Sequence, residues 1–180
     1  MLICVEYITF TLFINNLKIT MQFFSGHIHA KLDAKGRAYV PVAFRQILQS
    51  SGEACFKIRK DIYKDCLILC FESTWHKKLN ELRQLLNEYD EEQQQLFRKF
   101  SADVCDVELD SSGRLLIPKK YLLRTKISNA VCFVGINDSL EIWGSDQFNK
   151  ELLSSDDFKS HVRKFLSGSR RTNENQDNNR

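Results

Sequence analysis

This 180-residue chain predicts an α+β fold built as a tandem internal repeat, and three observations lead there. A motif is duplicated. Asp33-Ala34-Lys35-Gly36-Arg37-Ala38-Tyr39-Val40-Pro41 returns as Asp110-Ser111-Ser112-Gly113-Arg114-Leu115-Leu116-Ile117-Pro118, with Asp, Gly, Arg and Pro in register. The chain's only two prolines occupy the same place in both copies. Each copy is followed by two apolar segments of strand length, and the stretch between the copies carries apolar residues at helical spacing.

Taken in order, each copy opens with a short strand, residues 26–33 or 104–110, that enters a D-x-x-G-R turn. Aspartate suits a turn start because its side chain bonds backbone N–H groups two residues on, and glycine takes positive φ without steric cost. A second strand follows, residues 37–40 or 114–117, and proline then marks the first position of a short helix. Residues 54–59 with 66–71, and 130–135 with 140–143, close the two units as strand pairs. Between the units, Trp75, Leu79, Leu82, Leu86 and Tyr89 recur at helical spacing, and Asp90 with Gln93 resembles a capping box for a second helix ending near Phe100. Two further helices are expected after the second unit, over 146–153 and 156–166, with Gly168 as a stop.

The resulting organisation is an extension over 1–20, a first unit over 26–73, a helical connector over 74–101, and a second unit over 102–145. C-terminal helices follow over 146–168, and a disordered tail over 169–180, which has no apolar residue. Residues 1–20 are apolar-rich but interrupted by Glu6, Asn15, Asn16 and Lys18, and lack a basic region, a small-residue cleavage site or an unbroken apolar run. Met21 is therefore the expected functional start, with no membrane partner.

Composition excludes several classes. Hydrophobic residues at 43% and charged residues at 27% fit a globular chain, and 7 Gly with 2 Pro rule out collagen-like sequence. Cys4, Cys55, Cys66, Cys70, Cys105 and Cys132 form no C-x-x-C pair and no zinc spacing, so an apolar, reduced role in a cytoplasm is expected. His27 and His29 would share a strand face, but no third ligand lies nearby in sequence. P-loop, dinucleotide and nucleophile-elbow patterns are absent, which argues against an enzyme, a cofactor or a small-molecule substrate.

The string FFSGHIHAKLDAKGRAYVPVAFR, with DSSGRLLIP downstream, resembles the MraZ family of bacterial regulators, which are made of two SpoVT-AbrB-type units with a D-x-x-x-R motif in each. The resemblance covers roughly Met21 to Leu166, and Ser25 departs from it where many members carry a basic or larger residue. It implies two swapped-hairpin units closing a pseudo-dimeric β-barrel with flanking helices. It further implies a ring-shaped homo-oligomer, nucleoid-associated, that binds short direct repeats in double-stranded DNA at the promoter of the division and cell-wall gene cluster and represses its own operon.

Charge distribution agrees with a nucleic-acid partner. The net charge of +3 hides a polarised chain: residues 28–60 carry seven basic and two acidic side chains, a net +5, whereas 101–153 carry six basic and eight acidic, a net −2. The expected DNA contacts are Lys31, Lys35 and Arg37, with Arg45 and Arg114, and the first unit is expected to dominate. Asp33, Gly36, Asp110 and Gly113 are read as the structural turn motif, with Asp33–Arg37 and Asp110–Arg114 as ion pairs across each bend. Lys57, Arg59 and Lys60 also read as a solvated strand end. The rival reading is an oligomeric protein-interaction module that uses the connector helices and binds no specific DNA.

Overall fold

The computed structural model describes residues 23–152 and 155–177. Of the described residues, those up to Gly144 form one compact unit and those from Ser145 onward a second. In the first, the order is β1 (His27–Lys31), β2 (Arg37–Tyr39), α1 (Val42–Ser50), β3 (Phe56–Lys60), β4 (Leu67–Phe71), α2 (Glu72–Leu85), α3 (Glu91–Ala102), β5 (Cys105–Val107), β6 (Arg114–Leu116), α4 (Lys119–Thr125), β7 (Ala130–Ile136) and β8 (Ser139–Gly144). The second unit holds α5 (Ser145–Glu151) and α6 (Ser155–Asp177). No helix among the described residues is long and apolar enough to cross a membrane. The extension over 1–20, with Cys4, and the expected start Met21 lie outside the described residues.

Every strand pairing is antiparallel, and the pairings exchange partners between the repeats. A six-stranded sheet runs β1-β7-β8-β4-β3-β5, and β2 with β6 makes a separate two-stranded ribbon. The first strand of each repeat therefore pairs with the third strand of the other: β1 with β7, Ala30 opposite Val131, and β5 with β3, Val107 opposite Phe56. Strand β4 (LILCF) lies inside the sheet between β3 and β8, and its first four residues are buried. That double-sided burial is why it reads as an unbroken apolar run rather than an alternating one.

The core fills the space between the sheet and ribbon from both repeats. Phe44 and Leu48 of α1, Tyr121 of α4, and Ala38 and Leu115 of the ribbon are buried with Phe133, Leu140 and Ile142 of the sheet. Cys66, Cys70 and Cys132 are buried too, and desolvation pushes the Cys70 and Cys132 thiols up to about 11 and Cys66 higher still. All five described cysteines are free.

Four expectations need correction. The hydrogen-bonded ladders do not close a barrel: the six-stranded sheet is open, with β1 and β5 at its edges. Only the single bridges Leu32↔Ala38 and Leu109↔Leu115 join each edge strand to the ribbon, because the turn bonds to itself immediately afterwards and withdraws its backbone from the ladder. Pro41 and Pro118 stand one residue before their helices, with ψ of 141° and 134°, so they act through their carbonyls. The carbonyl of Pro41 accepts from Arg45 N at 2.8 Å, and that of Pro118 from Tyr121 N at 2.9 Å. At α3, Asp90 accepts from Gln93 N at 2.9 Å as expected, but Gln93 Oε1 reaches Asn87 N at 2.7 Å instead of closing the box. Helix α6 runs to Asp177, through Gly168 and into the stretch for which no regular structure was expected. One glycine inside a helix costs about 1 kcal/mol relative to alanine, too little to end it alone.

The dependence of both repeats on the ribbon can be measured. Leu115 is fully buried, so Leu115→Ala should cost about 2–5 kcal/mol in denaturant unfolding. Leu123→Ala, 69% exposed, should stay within about 0.5 kcal/mol.

Candidate nucleic-acid interface

The two D-x-x-G-R turns fold alike because one carboxylate does the same work in each. Asp33 Oδ1 accepts from the backbone N–H of Lys35 and of Arg37, both at 2.9 Å, and Oδ2 accepts from Arg37 Nε at 2.7 Å. Asp110 repeats this on Ser112 N, Arg114 N and Arg114 Nε at 2.9, 2.9 and 2.7 Å. Backbone bonds complete each bend, Gly36 N to Asp33 O at 2.9 Å and Gly113 N to Asp110 O at 2.8 Å, with φ of +81° and +78° at the glycines. The backbone amide of the arginine, more than its guanidinium, holds each carboxyl below the usual carboxylate range.

The turns are locked to one another as well. Val40 N donates to Gly113 O at 3.1 Å, and Ile117 N donates to Gly36 O at 2.9 Å. Between these bonds lies the ribbon, with Arg37 opposite Leu116 and Tyr39 opposite Arg114. Strand alternation buries Ala38 and Leu115 on the inner face and leaves Arg37, Tyr39, Arg114 and Leu116 on the outer one. Tyr39 and Leu116 are each more than half exposed, and the Arg114 guanidinium sits 5.7 Å from the Tyr39 ring centroid. An outward face with two arginines, an aromatic and a leucine is suited to a flat polyanion.

Each glycine carries a cover from the other repeat, and the covers differ. A Cβ at Gly36 would meet Leu122 Cδ1 at 3.0 Å, whereas one at Gly113 would collide with the Arg45 guanidinium. Arg45 and Leu122 occupy matching positions in the two copies. The expected contact Arg45 thus lies on the second turn. Lys35 stands exposed at the tip of the first, and Lys31 is exposed on edge strand β1, two residues before that turn.

Other parts of the basic segment are engaged elsewhere. Lys57 Nζ pairs with Asp106 at 2.6 Å and Glu72 at 2.8 Å, which raises its pKa, and Lys60 pairs with Asp65 at 3.0 Å. Arg59 lies over Phe100, 4.9 Å from its centroid, beside Trp75, which stacks on Phe100 at 5.1 Å. These three cations hold β3 to its neighbours, and the acids facing Lys57 and Lys60 lie outside residues 28–60. The ribbon partners Tyr39 and Leu116 were missed as site residues; their alternation with buried neighbours is the signal that could have found them. His27 and His29 stand edge to face, centroids 6.1 Å apart, and no group of three potential metal ligands occurs among the described residues.

Fold and site together define a class, the two-repeat antiparallel β protein whose Asp-locked turns present arginines on one ribbon. Residues 102–165 match the family model described as "MraZ protein, putative antitoxin-like". The transcriptional regulator MraZ of Phocaeicola vulgatus is 41% identical over 143 residues, 79% of this chain and 93% of the relative. Those of Bacteroides fragilis and Bacteroides thetaiotaomicron are 40% and 39% identical, over 85% and 82% of this chain and 97% and 95% of theirs. The chain belongs to the MraZ family.

Two outcomes test the turn. The native pKa of Asp33 and Asp110 lies below the unfolded value, so their stabilisation is complete above about pH 3.9 and is lost as pH falls through the native value. The gap in Tm between the wild type and Asp33→Asn or Asp110→Asn should be widest above that point and close in acid. Gly113→Ala should lower Tm more than Gly52→Ala. Both positions carry φ of +78°, which costs alanine roughly 1–2 kcal/mol, but only Gly113 has Arg45 against it.

Proposed function

We propose that this chain is a DNA-binding transcription regulator and that the β2–β6 ribbon with the first turn forms its DNA-facing surface. The observation that carries this is the pair of Asp-locked turns aiming Arg37 and Arg114 from one exposed ribbon. Asp33 takes the Nε and Nη2 edge of Arg37, both at 2.7 Å. A guanidinium has five N–H donors, so the Nη1 group stays available for a phosphate or for the two acceptors of guanine. The carboxylate is then a positioning group: it holds one edge of the guanidinium and leaves the Nη1 side facing outward.

The relatives' name, transcriptional regulator, supports this reading; the operator in this proposal is the short direct repeats upstream of the division and cell-wall genes that the family resemblance implies. In this proposal the protein acts in the cytoplasm on the nucleoid, represses its own operon and binds as a homo-oligomeric ring. Several subunits on adjacent repeats raise the effective local concentration, so each ribbon's contacts can be modest. Exchange of first strands between the repeats supports the swapped-hairpin pseudo-dimer as the unit of that ring.

Fluorescence anisotropy with a duplex carrying direct repeats from upstream of the gene tests the proposal. Binding should weaken steeply with salt. Arg37→Ala should cost about 1–3 kcal/mol on that duplex and less on a shuffled one. Absent or salt-insensitive binding by the wild-type protein would overturn the reading.

A further inference from the structure

We propose that the second repeat supplies part of the phosphate contact: Lys119 and Lys126, with Lys35 of the first turn, line one groove that holds the sugar–phosphate backbone of duplex DNA beside Arg37. The inference rests on the DNA-binding reading above and revises its weighting, since summed charge alone points to the first repeat.

The groove lies between the first turn and the second repeat's α4, walled by Gly36, Leu116 and Pro118 with the three lysines around it. Its lining contains no carboxylate. All three lysines are exposed, and among the described residues none has a side-chain hydrogen bond or ion pair. Lys126 acts on Asp65 only behind the direct Lys60–Asp65 contact at 3.0 Å. A second basic groove, around Arg59, Lys60, Lys99 and Arg124, contains its own acids. There Asp103 takes both ends of the Arg124 fork at 2.6 and 2.8 Å. One basic groove is thus neutralised internally, and the other is left with three like charges facing the same space, an arrangement that an anion relieves.

Two further features point to a phosphate backbone as that anion. Leu116 is the cross-strand partner of Arg37 and also lines the groove, so a strand held there runs on to the ribbon's outer face. The charge is also particular to this side. Lys35, Lys119 and Lys126 correspond to Ser112, Val42 and Gln49 in the other repeat, so the motif is duplicated but the lysine triad is not. The protein's two halves would thus meet DNA unequally, the ribbon arginines from both and the backbone cradle from one side.

The test compares the wild type, Lys119→Gln/Lys126→Gln, and the control Lys77→Gln/Lys150→Gln, which removes the same charge from exposed helix positions. Each is titrated by anisotropy against the repeat-bearing duplex and a shuffled duplex of equal length, between about 50 and 200 mM salt. Each phosphate contact contributes about 0.9 to the slope of log K against log salt. The groove variant should therefore have a slope shallower by about 1.8 per bound subunit on both duplexes, with the ratio of affinities for the two unchanged. The control should keep the wild-type slope. A groove variant with the wild-type slope, or a control that falls as far, overturns the inference while leaving the DNA-binding reading intact. Failure of the wild-type protein to bind either duplex overturns both.

Discussion

The hydrogen bonds from Val40 N to the Gly113 carbonyl and from Ile117 N to the Gly36 carbonyl hold the two repeats in register, and the rest of the architecture depends on them. Each carbonyl is where it must be because a glycine at positive φ turns it outward and an aspartate fixes the bend. Once the two bonds form, β2 and β6 lie antiparallel with Ala38 and Leu115 inward, and the prolines that follow launch α1 and α4 over the opposite repeat's turn. Removing the carboxylate would loosen the turn, the ribbon and the helix covers together. Each turn therefore depends on one residue twice: the carboxylate that shapes the bend also holds the arginine side chain.

Similar backbones carry dissimilar chemistry. The hydrogen bonds inside the two turns agree to within 0.1 Å, yet one turn is covered by Leu122 and the other by Arg45. Duplication supplies the frame twice, and the side chains standing on it are free to diverge because they make few of the bonds that define it. Arg45 is the instructive case. It belongs by sequence to the first repeat and by contact to the second turn.

Local features were readable in the sequence and long-range ones were not. The turns, the strand segments and the Asp90 cap follow from nearby residues and appear as expected. Partner choice is different: nothing within His27–Lys31 tells it to pair with Ala130–Val134 rather than with a strand of its own repeat. The open edges of the sheet depend on the same long-range pairing. Charge summed along the chain has the same limit. A sum along the chain credits Lys57 and Lys60 to the first repeat, though Asp106, Glu72 and Asp65 face them in space. The same sum hides Lys119 and Lys126 within an acidic total.

Strand exchange also imposes an order in time. β1 is among the first described segments to leave the ribosome, but its partner β7 is encoded about 100 residues later. At about 5–20 residues per second that is a wait of roughly 5–20 s with one strand edge unsatisfied. Histidine and lysine on β1 keep the waiting segment soluble, and its single-sided pairing in the finished sheet lets it dock late. The price of exchanging strands between the repeats is thus a nascent protein that cannot finish its first half until it has made its second.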